Sequence, residues 1–365
     1  DALATYVGAA RKICHKLLYL YLCLLPKGIV DDSASEIVPG TEVLAEISIV
    51  GTHTLTYVTR DVAGNTSASV QREFNVEDPF APIFVSVFGS DVVGDGSFGN
   101  PYATVQHAVD MASPGADVYV GSGTFVGDIA MRGDGTSLYG AGADETTLQG
   151  TGLDTVVYCG DLGEGETISG FTITGGGPHP DSAGIYCSGS SRSIRDNVLV
   201  GNAVGVYAAD QSAPTIKNNT ITDTTVGAGI CVNWESYAVI ENNTITGNTG
   251  EGAIYVHESS ATITNNMITD NTGDPNGGAI ASQESSVTIT GNTIARNTGG
   301  GISVGHTDYA EITSNTISHN TNEHEGGGIY SDSTSSTITN NTISYNTAQH
   351  GGGVFSSSQT IENNT

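Results

Sequence analysis

The word N-x-I-x-x-N and its close variants recur through the second half of the chain. Its first asparagine stands at Asn197, Asn219, Asn243, Asn266, Asn292, Asn315, Asn341 and Asn364, at intervals of 22, 24, 23, 26, 23, 26 and 23 residues. A period in the twenties with no helix-length apolar stripe requires stacked coils, because one such repeat cannot bury its own apolar face. The repeat constrains architecture tightly and chemistry hardly at all.

Each period carries short apolar strands. Ile216, Ile221, Ile230 and Val232 serve one coil, and Ile240, Ile245, Ile254 and Val256 the next; all are expected to point inward. The asparagines fall where the chain must turn. Asparagine tolerates the left-handed backbone conformation, and its amide can bond the coils above and below. A second column follows five residues on, at Asn202, Asn248, Asn271, Asn297, Asn320 and Asn346. Both columns are read as structural, because a buried amide stack satisfies itself. Divided by the period, residues 133–365 give about ten coils.

Ahead of the coils, residues 83–88 read as a strand and 104–112 as an amphipathic helix with Val105, Ala108, Val109 and Met111/Ala112 on its apolar face. Ser113-Pro-Gly ends that helix, and Asp117–Val120 reads as the next strand. A helix here would cover the open end of a solenoid. Further upstream, His53, Leu55 and Tyr57 alternate with threonine, a turn follows at residues 61–65, and 68–76 read as a second strand. The apolar run 13–25 falls short of the roughly 20 residues a membrane span needs, so no span is expected. The expected organisation is therefore 1–28, signal-like or non-native; 29–77, a partial β-sandwich-like segment; 78–82, a linker; and 83–365, the solenoid. Within the solenoid, 83–132 hold the opening strand and capping helix and 133–365 the coils. The sequence stops at Thr365 inside a coil, so further chain or a second chain is expected to cover that end.

Formal charge is −28, from 39 acids and 11 bases, which argues against nucleic acid or an anionic membrane as partner. From Asn218 onward, 14 acids accompany a single base, Arg296. Five cysteines give no closed disulfide framework. Cys159 and Cys187 sit in equivalent words, Val-Tyr-Cys-Gly and Ile-Tyr-Cys-Ser, and are expected inward, roughly 4.8 Å apart. They read as buried thiols or as a disulfide.

Aligning coils on the inward Ile/Val turns outward positions into columns. One reads Tyr158, Tyr186, Tyr207, Cys231, Tyr255, Ala281, Ser303, Tyr330, Phe355. Rings in a row can stack on sugar faces, and equally aromatics are good strand formers that cover neighbouring coils. The next columns read Asp210, Trp234, His257, Gln283, His306, Asp332 and Gln211, Glu235, Glu258, Glu284, Thr307, Ser333. Three stacked glutamates should take up protons or hold a cation such as Ca²⁺; the plain alternative is a solvated acidic turn. The candidate site is therefore Glu235, Glu258, Glu284 and His257 as catalytic groups, with Trp234, Tyr237, Tyr255, Tyr207, Tyr186, His306 and Asp308 for substrate. His319, His324, His350 and Glu325 cluster late without metal-ligand spacing. Threonines flank the inward isoleucine, as at Thr220 and Thr222 or Thr244 and Thr246, an array interrupted at Met267, Ala295 and Ser318.

The repeated N-x-I-x-x-N…G-G-[AG]-I, with G-G-A-I at 277–280 and G-G-G-I at 326–329, and the opening segment resemble the right-handed parallel β-helix repeat superfamily (the pectin-lyase-like fold) over residues 83–365. The word T-Y-x-x-x-D-x-A-G-N-T at 56–66 resembles the last hairpin of bacterial immunoglobulin-like modules, over about half of the ~100 residues such a module needs. The first resemblance implies an all-β, right-handed parallel β-helix with a short N-terminal capping helix. That superfamily includes pectate lyases, polygalacturonases, mannuronan epimerases, periplasmic copper-site maturation proteins and non-enzymatic surface proteins. Catalytic motifs do not carry over. His306, in Val-Gly-His-Thr-Asp, lacks the second glycine and paired aspartates of a polygalacturonase, and the repeats offer a lyase only Lys217 and Arg296 as bases. The expected function is a secreted or cell-surface protein that binds or presents to polysaccharide. A polysaccharide lyase or glycoside hydrolase, and a structural adhesin or ice-binding-like surface, are the alternatives.

Overall fold

The computed structural model describes residues 81–365 apart from 132–134, 161–163, 275–277, 307–308, 333–334 and 358, together with 51–57, 68, 70–76 and 78. The chain forms two compact units, 1–78 and 79–365. In the first, strands Gly51–Tyr57 and Val70–Val76 pair antiparallel, with Gly51 opposite Val76 and Tyr57 opposite Val70. The signal-like segment 1–28 and most of the sandwich-like segment lie outside the described residues.

The second unit is a parallel β-solenoid. Its coils stack into three sheets: sheet A has 12 strands, from Ile83–Val85 to Gln359–Glu362; sheet B has 10, from Gly123–Val126 to Thr342–Ser344; sheet C has 10, from Ile129–Met131 to Val354–Ser356. Each coil visits A, B and C in turn, so it bends at three corners, AB, BC and CA. No helix among the described residues is long and apolar enough to cross a membrane.

Helix α1 (Val105–Met111) covers the first coils. Thr104 caps it, its hydroxyl accepting from His107 N at 3.3 Å. Val105, Ala108 and Val109 are buried as expected, but Met111 is exposed. At about 100° per residue it lies roughly 120° round from Val105, off the apolar face. The opening strand is Ile83–Val85, shorter than 83–88, because the chain already turns at Ser86, whose carbonyl accepts from Gly89 N at 2.8 Å.

The inward residues Ile216, Ile221, Ile230, Val232, Ile240, Ile245, Ile254 and Val256 are all fully buried. The asparagine columns are buried ladders. Asn243 Nδ2 donates to Ile216 O at 2.8 Å and to Asn266 Oδ1 at 3.0 Å, while Asn243 N donates to the same Oδ1 at 2.8 Å. The expectation that these asparagines take the left-handed conformation is corrected. That conformation belongs to the residue before each one: Asn218, Asn242 and Asn265 at corner AB, and Asp270, Arg296 and His319 at corner BC. The chain needs one residue to turn and the next to carry a buried amide. A side chain cannot point inward into the ladder from the residue that turns outward.

Candidate functional site

Corner CA repeats this device with serine in place of asparagine. Gln211, Glu235, Glu258 and Glu284 have φ of 64°, 57°, 47° and 48°, and each precedes a buried serine: Ser212, Ser236, Ser259 and Ser285. Ser236 N donates to Ser259 Oγ and Ser259 N to Ser285 Oγ, both at 3.2 Å. The turning residue faces solvent, so four acid or amide side chains project in a file. With Tyr237 and the serines they line an open groove of about 470 Å³. Gln211 Nε2 donates to Glu235 Oε2 at 2.8 Å. His257, Glu258 and Glu284 bring donor atoms within 4.8 Å of one another. Lys217 and Arg296 are paired elsewhere, with Glu241 at 3.1 Å and Asp270 at 2.6 Å.

Gln211, Glu235, Glu258 and Glu284 share one column as read, while its last two members, Thr307 and Ser333, lie outside the described residues; the neighbouring column is corrected. Asn233, not Trp234, pairs with His257, and Gly305, not His306, pairs with Gln283. Three residues separate Asn233 from Tyr237, whereas two separate their partners His257 and Ser260, so the corner holding Trp234 is one residue longer. Trp234 is the extra residue, left-handed at φ 53° and 46% exposed. Its ring lies 6.2 Å from that of Tyr207, tilted by 53°, and does not line the groove, whereas Tyr237, 63% exposed, does. His306 lies on another long corner, its backbone N donating to Asp332 Oδ1 at 2.8 Å. Asp308 lies outside the described residues.

The aromatic column of sheet C is in the expected register, Tyr158 to Tyr186 to Tyr207 to Cys231 to Tyr255. Its rings face one another, however. Tyr158 and Tyr186 stack at 5.6 Å, and Tyr186 and Tyr207 at 4.9 Å with planes 3° apart. The faces a sugar would need are occupied by neighbouring rings, and Tyr207 is buried. Burial pushes its phenol up to about 12, against the hydrogen bond it accepts from Asn233 Nδ2 at 2.8 Å. Tyr186 and Tyr207 thus close the sheet face and present edges.

Three groupings escaped sequence reasoning, apart from the inward stacking of Cys159 on Cys187. Glu251 places Oε2 at 3.9 Å from the buried Cys231 Sγ, and burial raises both acids above their usual range. Inside the coil, Met131 pairs with Cys159 and Cys159 with Cys187, all inward and buried. Three sulfurs therefore stack on successive rungs, where later rungs carry Ala208, Val232 and Val256. The described cysteines, Cys159, Cys187 and Cys231, are free thiols. On sheet A, Thr167 pairs with Ser193, so the preceding residues, Glu166 and Arg192, occupy neighbouring inward rungs. They are 6% and 1% exposed. Arg192 Nη1 donates to Thr136 O at 3.1 Å.

A stack of parallel coils held by side-chain ladders defines this protein as a β-helix. The family described as "Periplasmic copper-binding protein (NosD)" matches residues 109–280 and 251–365, and the chain belongs to it. No curated protein matches the sequence. Among solved structures, the A-module of an Azotobacter vinelandii mannuronan C-5 epimerase (AlgE4) is 15% identical with a TM-score of 0.46, over 77% of this chain and 97% of that one. The DFA-IIIase of Arthrobacter chlorophenolicus A6 without its lid is 12% identical with a TM-score of 0.49, over 77% and 91%. The periplasmic alginate epimerase AlgG is 13% identical with a TM-score of 0.45, over 93% and 100%.

Proposed function

We propose that the CA groove binds an extended glycan running along the solenoid axis, outside the cytoplasm. The observation that carries this is the file Gln211, Glu235, Glu258, Glu284 beside Tyr237, one hydrogen-bonding group per coil, with Trp234 just ahead of Glu235 in the chain. Carboxylates and amides accept hydrogens from sugar hydroxyls, and the exposed Tyr237 ring offers a face on which a pyranose can stack. Three carboxylates repel a uronate, so a neutral glycan suits the groove unless a divalent cation bridges. Ca²⁺, an oxygen-seeking ion, is the cation that Glu258 and Glu284 would hold. Affinity electrophoresis in neutral and acidic polysaccharides, with and without Ca²⁺, tests this. Trp234→Ala and Tyr237→Ala should each weaken retention roughly tenfold, about 1.4 kcal/mol. Undiminished retention in the double variant would remove the groove from consideration.

A second reading, a polysaccharide lyase or glycoside hydrolase, is favoured by one observation: the convergence of His257, Glu258 and Glu284 within 4.8 Å. That spacing leaves no room for the water of an inverting hydrolase, whose carboxyls sit roughly 6.5–9.5 Å apart. New reducing or unsaturated ends on any glycan of the panel, lost in Glu258→Gln, would favour the enzyme. Copper enters through the family description. One imidazole and exposed carboxylates are a harder set than Cu(I) selects, whereas thiolate and thioether are the donors that suit it.

A further inference from the structure

We propose that the glycan in the CA groove is branched, and that its side sugars lie across sheet A in a cleft between Tyr237 and Tyr309. The proposal rests on the groove reading above and adds to it the cleft, Tyr309 and the branch. On sheet A the first outward column runs Tyr237, Ser260, Ser286, Tyr309 in register. The two tyrosines are therefore three strand spacings apart, about 14 Å, with only serines between them. They are 63% and 45% exposed. Among the described residues neither ring stacks on another, unlike Tyr158, Tyr186 and Tyr207 on sheet C.

The columns further along the same strands deepen the gap. The second outward column reads Val239, Thr262, Thr288, Glu311 and the third Glu241, Thr264, Thr290, Thr313. The bounding strands, Tyr237–Glu241 and Tyr309–Thr313, thus open with a ring followed by a second bulky side chain. The outward positions of the two strands between them, Ser260–Thr264 and Ser286–Thr290, hold hydroxyls alone. The resulting cleft is two strands wide. Over four residue steps it is about 13 Å long, with room for roughly two sugars. Its walls are tied: Tyr309 Oη donates to Glu311 Oε2 at 3.2 Å, and Glu241 pairs with Lys217 at 3.1 Å.

Such a cleft suits a neutral sugar. Serine and threonine hydroxyls donate or accept as their partner requires, which matches a polyol. The flanking rings offer apolar faces to the C–H face of a pyranose. An anionic sugar would instead meet Glu241 and Glu311 in the walls and the glutamate file at the mouth. The branch follows from direction. Ser260 and Ser286 line the groove and also open the cleft. The groove runs along the solenoid axis, whereas the cleft follows the strands across it. A linear extended glycan fills one or the other; a branched one fills both from a junction at the serines.

The test titrates the full chain with neutral oligosaccharides in matched pairs, each a β-linked backbone without and with side sugars: cello-oligosaccharide and xyloglucan, mannan and galactomannan, xylan and arabinoxylan. Isothermal titration calorimetry gives both affinities of each pair. In at least one pair the branched member should bind roughly tenfold tighter than its linear parent. Tyr309→Ala, which removes a wall, and Thr288→Phe, which fills the cleft, should each bring that ratio down to about one. Tyr309→Phe keeps the ring and should preserve most of it. Far-UV circular dichroism verifies that the variants fold, and phenylalanine is itself a good strand former. Equal affinity within every pair, or a branched preference that survives both Tyr309→Ala and Thr288→Phe, would overturn the cleft and leave the groove standing. Binding of no member of any pair would overturn the groove, and the cleft with it.

Discussion

The early and late coils of this solenoid solve the same folding problem with different interiors. From about Ile230 onward, the inward positions of sheets A and C hold Ile, Val, Ala and Ser. Between Met131 and Arg192 the corresponding columns hold Met, Cys, Cys on one side and Glu, Arg on the other. Both regions are buried, and the later coils keep their register without sulfur or charge, whereas the early strand shifts register between Glu164 and Thr167. Buried charged side chains seldom add stability over apolar residues of similar volume, which makes the presence of Glu166 and Arg192 in one region a matter of specificity or function.

The largest effect should come from breaking that charged rung. Arg192→Ala removes one buried charge while leaving Glu166 in the core, and is expected to cost about 3–5 kcal/mol in urea unfolding. The double change Glu166→Ala with Arg192→Ala installs what the later rungs already carry at Ala238 and Ala261. It should cost less than Arg192→Ala alone. A double variant as damaged as the sum of the two singles would mean the early coils depend on these charges for folding, and the comparison would fail.

Next comes the ladder that the late coils rely on. Asn266 Nδ2 donates to Ile240 O at 2.9 Å and Asn292 Oδ1 at 3.0 Å, and its Oδ1 accepts from Asn243 N at 2.8 Å. Asn266→Ala orphans several buried groups at once and should cost about 3 kcal/mol. Glu258→Ala, one corner away and exposed, should stay within about 0.5 kcal/mol. Thermal denaturation of the two side by side separates ladder from groove. Smaller again is Cys187→Val, expected to cost under about 1.5 kcal/mol because it nearly conserves volume. A larger loss would make Cys187 a structural requirement of the early coils.

The period made the coils, the inward isoleucines and both asparagine columns legible, because a repeat that must stack leaves one register. It did not reveal which residue turns. Asparagine's own tolerance of the left-handed conformation makes it the natural candidate, yet its amide is required inside. The turn therefore passes to a neighbour as varied as Asp270, Arg296, His319 and Tyr345. The columns also slip at corner CA. A ruler anchored on inward Ile/Val counts past Trp234 and His306 without registering that their corners hold one residue more. The glutamate column escaped this slip because each glutamate precedes a ladder serine, and the serine restores the count. Met131 gave no signal, since the asparagine words begin only at Asn197 and the first coils differ in loop length.

The finest contrast lies on the outer face of sheet C, where Glu251 meets Cys231. Burial raises the Glu251 carboxyl above its usual 4.5, opposed by the Cys231 thiol. The folded state then holds this proton more tightly than the unfolded chain does. Between the unfolded and the folded pKa the native state binds more protons, so stability falls as pH rises through that window. Above the folded pKa the whole cost is present; below the unfolded pKa it is absent. Glu251→Gln keeps the shape without the charge. Its urea midpoint should match that of the parent chain at the acid end of the window and exceed it slightly at neutral pH, most visibly at low salt. Equal midpoints across the window would show that water reaches this carboxylate freely. The outer face of the sheet would then be no drier than the groove around the corner.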